Sequence, residues 1–206
     1  MNAPDRRPLA SRNARWAQSA AAAFARSAVT PNQISFVSIV FAALGAVALV
    51  DARPLALVLA AACVQLRLLC NLLDGMVAIE GGKRSALGAL YNEFPDRVAD
   101  SLLLVALGYA AGVPWLGWLA ALLAALTAYV RATGGALGFA QDFRGPMAKP
   151  HRMAVLTVAC LAGAAEMYWN GTRFMLLNAA IVIVAGSAFT CVTRTRALAR
   201  VLSERG

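Results

Sequence analysis

The chain has 206 residues, 60% of them hydrophobic and 14% charged, and its mean hydropathy is +0.65. A soluble core of this size does not need so much apolar sequence, so the composition excludes an ordinary soluble domain and points to a multi-span membrane protein. The formal charge of +9 does not signal nucleic acid either, because the basic residues fall between apolar runs instead of covering a polar face.

In chain order, residues 1–33 read as a cytoplasmic juxtamembrane arm and 34–206 as a single membrane domain. Within the arm, 11–28 (SRNARWAQSAAAAFARSA) is Ala-rich and carries Arg12, Arg15, Trp16, Phe24 and Arg26. This predicts an amphipathic helix on the membrane surface, with Arg at anionic head groups and Trp16 at the interface; a solvated Ala-rich arm is the alternative. No compact apolar core with a cleavage site is apparent near the start, so the first span is expected to be retained. Pro31 breaks the arm helix, because proline disfavours helical geometry in the residue before it.

Six apolar runs then have spanning length: 34–50, 55–73, 95–112, 115–137, 153–169 and 174–192. Arg and Lys orient them, since cytoplasmic flanks are enriched in both. Arg6, Arg7, Arg12, Arg15 and Arg26 precede span one, Lys83 and Arg84 follow span two, and Arg97 opens span three. Arg131, Arg144, Lys149 and Arg152 lie near the link between spans four and five, and Arg194, Arg196, Arg200 and Arg205 fill the tail. The opposite links hold only Arg53 and Arg173. Six spans with both termini cytoplasmic satisfy every link. Cys63, Cys70, Cys160 and Cys191 form no C-x-x-C pair and read as packing residues; Gly134, Gly135 and Gly138 read as close helix packing.

One stretch, NLLDGMVAIEGGKRSALGALYNEFPDRVAD, stands apart. Acids and amides at membrane depth are costly, so a cluster of them is a functional-site hypothesis. Asn71 with Asp74, and Asn92 with Asp96 and Asp100, each form a stripe on one helix face. Both stripes lie at the cytoplasmic ends of antiparallel spans, so their oxygens converge. Carboxylates and side-chain amides suit a hard cation such as Mg²⁺, Mn²⁺ or Ca²⁺, and a metal pair would neutralise a diphosphate undergoing displacement. The loop Glu80-Gly81-Gly82-Lys83-Arg84-Ser85 adds two cations suited to an anionic phosphate substrate. Carboxylates that are merely solvated at helix ends remain the bland alternative.

At these residues the chain resembles the CDP-alcohol phosphotransferase family, whose signature is D-x2-D-G-x2-A-R-x8-G-x3-D-x3-D. The pattern runs without a gap through Asn71, Asp74, Gly75, Ala78, Ile79, Gly88, Asn92 and Asp96, departing at Asn71 and Asn92 (each for Asp) and at Ile79 (for Arg). The resemblance implies an all-α integral membrane protein, a six-transmembrane-helix bundle preceded by an N-terminal amphipathic interfacial helix, in a bacterial inner membrane. It implies transfer of a phosphatidyl or related phosphoryl group from a CDP-linked lipid to an alcohol, with release of CMP. By position, Asn71, Asp74, Asn92 and Asp96 would hold two Mg²⁺ or Mn²⁺ ions, the second bound less strongly because each Asn removes a charge. Asp96 would be the general base. Gly75, Ala78 and Gly88 would line the nucleotide, with Lys83 or Arg84 replacing the cation lost at Ile79. Asp100 extends the Asp96 face by one turn and is the alternative base, and Glu80 and Glu93 are further acids outside the pattern. A homodimer is also implied.

Arg67, one turn before Asn71, calls for an acidic partner or snorkels. Arg131, Arg144, Lys149, His151 and Arg152 form a basic group suited to a phosphorylated acceptor, although positive-inside topology explains it equally. His151 reads as an interface residue, and Glu166 faces the far interface without a role. Two other functions stay open: a member that keeps the scaffold but serves as a lipid- or nucleotide-binding partner protein, and a small transporter. The second is disfavoured because the acids gather at one end of the bundle instead of the midplane.

Overall fold

The computed structural model describes residues 14–83 and 87–205, and of Glu80, Ala89 and Asn92 only the backbone. Among the described residues there are seven helices and no strand: α1 (Arg15–Arg26), α2 (Pro31–Asp51), α3 (Pro54–Glu80), α4 (Gly88–Ala110), α5 (Pro114–Ala136), α6 (Lys149–Asn170) and α7 (Phe174–Ser203).

Local chemistry sets the boundaries. Thr30 caps α2 through a reciprocal box: its Oγ1 accepts from Gln33 N at 3.3 Å, and Gln33 Oε1 accepts from Thr30 N at 2.9 Å. Proline stands in the first turn of α2, α3, α5 and α6, where its missing N–H removes no helical bond. Glu166, expected to have no role, accepts from Phe174 N and Met175 N at 2.8 Å each and so satisfies the opening amides of α7.

Three elements depart most from the expected runs. α3 continues through the polar motif to Glu80, and α7 runs past 192 to Ser203. Span three was expected to open at Pro95, yet α4 starts at Gly88 and Pro95 is internal. The proline forfeits one intrahelical bond there, while the extra turns place Asn92 and Asp96 on one continuous helix.

The helix contacts close into a ring: α2 packs on α3, α3 on α6, α6 on α7, α7 on α5, α5 on α4, and α4 on α2. At the α4–α5 crossing a Cβ on Gly108 would lie 2.6 Å from Gly117 Cα, so only glycine lets these backbones approach. α1 lies outside the ring. Its Ala17 and Ala21, four apart and buried, pack with Leu72, Leu73, Met76 and Val77 of α3, while Trp16 and Phe24 remain exposed.

Four helices, α2, α3, α5 and α7, are long and apolar enough to cross a membrane, which marks a multi-pass membrane protein. The two other long helices hold further charges: Glu93, Asp96, Arg97 and Asp100 on α4, and Lys149, Arg152 and Glu166 on α6.

Candidate functional site

The acid cluster forms where α3, α4 and α6 meet. On α3, Arg67, Asn71 and Asp74 recur at helical spacing, and on α4, Asp96 and Asp100 are one turn apart, so each set faces one way. α6 enters beside them with Lys149 and Arg152 in its first turn.

Asp100 is the most enclosed member. Its Oδ1 accepts from Arg67 at 2.6 Å and its Oδ2 from Arg152 at 3.0 Å. All three side chains are at most 3% exposed, and Arg152 also donates to the Met147 carbonyl at 2.8 Å. The paired charges offset part of the cost of burying one another, while Arg67 Nε and Nη1 and Arg152 Nε stay buried without a hydrogen-bond partner. Both oxygens of Asp100, the alternative base, thus accept from guanidinium groups in the most enclosed part of the cluster. Arg67 has the acidic partner its position called for.

Asp96 lies one turn nearer the open end and is 13% exposed. Its Oδ1 accepts from Asn71 Nδ2 at 2.8 Å and stands 3.3 Å from Arg67, and its Oδ2 accepts from the Lys149 ammonium. Arg97 lies 3.8 Å away. A carboxylate only accepts, so the Asn71 amide must turn its NH₂ to Asp96, which leaves its carbonyl oxygen for another partner.

Asp74 is 5% exposed, and its Oδ2 accepts from Ser35 Oγ of α2 at 2.6 Å. Its Oδ1 is buried and no side chain donates to it, the neighbouring Gly75 N–H being the group that interacts with the carboxyl. A buried anionic oxygen without a side-chain donor is costly to leave so, and it is the donor type a hard divalent cation takes. The residues present therefore fit a cation at Asp74. Among the described residues no three His, Cys, Asp or Glu side chains stand together as a ready-made cage.

The nucleotide-facing residues are placed unevenly. A Cβ at Gly75 would meet nothing within 4 Å, so helix packing does not demand glycine there and the space suits a ligand's approach. Ala78 follows one turn on and is half-buried, as is Gly88 at the start of α4. Lys83 donates its ammonium to the carbonyls of Ser27 (2.5 Å), Val29 (3.1 Å) and Phe24 (3.4 Å), tying the end of α1 to the segment after α3. Arg84 lies outside the described residues, as do the side chains of Asn92 and Glu80. Glu93 is held by Arg131 at 2.6 and 2.7 Å and does not join Asp96.

The basic group divides. Lys149 and Arg152 turn into the acid cluster, and His151 is exposed. Arg131 and Arg144 instead line a separate pocket of about 300 Å³ together with Asp142, Phe139, Gly134 and Arg194 of α7. Arg194 donates to the Arg144 and Thr127 carbonyls at 2.9 Å each, and Arg131 to Gln141 at 2.6 Å. Sequence reasoning missed Ser35, left Lys149 and Arg152 between a phosphorylated acceptor and topology, and gave Arg194 to topology, because nothing local to those residues marks their partners.

A helix ring that includes four candidate membrane spans, an acid cluster where α3, α4 and α6 meet and a separate basic pocket together define a polytopic membrane protein. The CDP-alcohol phosphatidyltransferase family model matches residues 28–192, and the chain belongs to that family, membrane transferases of phospholipid biosynthesis. The archaetidylinositol phosphate synthase of Aeropyrum pernix is 35% identical over 173 residues, covering 83% of this chain and 85% of that protein. The Escherichia coli inner membrane protein YnbA is 25% identical over 178 residues, covering 85% and 87%. The Mycobacterium tuberculosis phosphatidylinositol phosphate synthase with CDP-DAG bound shares the fold, with a TM-score of 0.74, 21% identity, and 90% and 94% of the two chains covered. The same protein in complex with manganese and citrate gives 0.73 at 20% identity, with 88% of each chain covered.

Proposed function

We propose that this protein transfers a phosphatidyl or related phosphoryl group from a CDP-linked lipid to a phosphorylated alcohol, releasing CMP, at the cytoplasmic face of a bacterial inner membrane. The observation that carries the proposal is Asp96, a partly exposed carboxylate steered by Asn71 and Lys149 beside Asp74 with its open oxygen. In this reading α2 to α7 are six spans, with α4 and α6 crossing despite their charges because these face the ring's interior. The arm 1–33 lies on the cytoplasmic surface through α1, and 34–206 is the membrane domain.

The acceptor hydroxyl approaches Asp96, which removes its proton as the oxygen attacks the lipid-bearing phosphorus. The new phosphorus–oxygen bond forms as the phosphoanhydride bond breaks, and the electron pair leaves with CMP. Mg²⁺ or Mn²⁺ held by Asp74, with the Asn71 carbonyl and Asn92 as further oxygen donors, would neutralise the diphosphate. Gly75, Ala78 and Gly88 would lie along the nucleotide. Arg131, Arg144 and Arg194 suit the acceptor's phosphate, and the relatives' names make an inositol phosphate the first acceptor to try.

The test is CMP release by purified protein given CDP-diacylglycerol, Mg²⁺ and a panel of inositol phosphate, glycerol 3-phosphate and serine. Release with a phosphorylated acceptor supports the proposal. No release with any acceptor, while cytidine nucleotide still raises thermal stability, would instead identify a binding protein on a transferase scaffold.

A further inference from the structure

We infer that the centre works with a single divalent cation, held at Asp74, and that the Lys149 ammonium and the Asn71 amide take the place of a second one against Asp96. The inference deepens the transferase reading and rests on it for the nature of the substrate.

The first support is occupancy. A cation shared between the α3 and α4 stripes would need oxygens free on both sides, and Asp74 offers one. Asp96, the α4 residue nearest it among the described side chains, already has both oxygens engaged, one by Asn71 and the other by Lys149. An aspartate at position 71 would set a second carboxylate against Asp96 at hydrogen-bond distance, an arrangement that needs a cation between them. The amide donates there directly and removes that need.

The second support is charge. Asp74, Asp96 and Asp100 face Arg67, Lys149 and Arg152, with Arg97 3.8 Å from Asp96, so cations at least match carboxylates before any metal arrives. A diphosphate esterified at both ends carries one negative charge on each phosphorus, which a single divalent ion offsets. A second would leave a surplus of positive charge in a partly buried site.

The third is the position of Lys149. It opens α6, where the helix dipole disfavours a cation, and it lies within electrostatic reach of Arg67. A lysine held there against both effects must be retained by its carboxylates, Asp96 foremost. Unlike a bound ion it is tethered to the chain and cannot leave the site.

Purified protein titrated with Mn²⁺ in the presence of CDP, with bound metal counted by calorimetry and its environment read by electron paramagnetic resonance, decides the matter. The expected result is one Mn²⁺ per chain with the spectrum of an isolated ion, lost in Asp74→Asn. The double variant Asn71→Asp, Lys149→Met should bind a second Mn²⁺ spin-coupled to the first. Two coupled ions in the wild type, no bound Mn²⁺, or one ion indifferent to Asp74→Asn would each overturn the inference. If the double variant does not fold, the wild-type count and spectrum decide alone. A single Asp74-dependent ion in a protein that never releases CMP would uphold the one-cation centre and sink the transferase reading.

Discussion

Asp96 and Asp100 are one helical turn apart and have the same side chain, yet their surroundings give them different work. Asp100 neutralises two guanidinium groups that are almost wholly buried, so Asp100→Ala should cost about 3–5 kcal/mol, as removing one partner of a buried ion pair does, read as a lower unfolding midpoint in detergent. Asp96 is 13% exposed and, besides the buried Arg67 at 3.3 Å, is held by Asn71 and Lys149. Asp96→Asn should therefore abolish CMP release while shifting the unfolding midpoint far less than Asp100→Ala. Equal destabilisation by the two changes would make Asp96 a structural residue. The spacing of Asp74 and Asp96 was legible in the chain because helical periodicity alone puts them in stripes. The separate fate of Asp100 was not, since Arg152 is 52 residues away in sequence.

Among the elements, α1 and the start of α2 show local and non-local control side by side. The Thr30 cap is a local motif readable from Thr30-Pro31-Asn32-Gln33, and Thr30→Ala should cost about 1 kcal/mol of stability, measured by denaturant titration. The docking of α1 depends on the distant Lys83, which draws three carbonyls at the α1–α2 link onto one ammonium. Lys83→Met should loosen that link and speed tryptic cleavage after Arg26, whereas a nucleotide-binding lysine would alter CDP affinity instead. Pro95 misled the placement of span three for a physical reason. Proline commonly opens helices, and only the packing of α4 against α2 and α5 carries the helix back across it to Gly88.

At the scale of the whole molecule, the ring order joins helices far apart in the chain, and two long polar helices complete a wall that four apolar ones begin. If all six cross, both termini share a side. Single cysteines placed at Ser203 and at Asn170, in a background without native cysteines, should then react with impermeant reagent from opposite faces, and labelling of both from one face would refute the six-span arrangement. A cation bound only by the folded protein stabilises it in proportion to saturation, about 2.7 kcal/mol at a hundredfold excess over Kd. Mg²⁺ should raise the Tm of the wild type, chelation should reverse the rise, and Asp74→Asn should show neither effect. The sequence by itself determined the class of the protein, its polar motif and the helix faces that carry it, because hydropathy and helical period are local properties. The tertiary structure alone decided which cation meets which acid. The contacts of Lys149 with Asp96, Arg152 with Asp100 and Ser35 with Asp74 join separate helices, and their energy comes from burial that no single segment possesses.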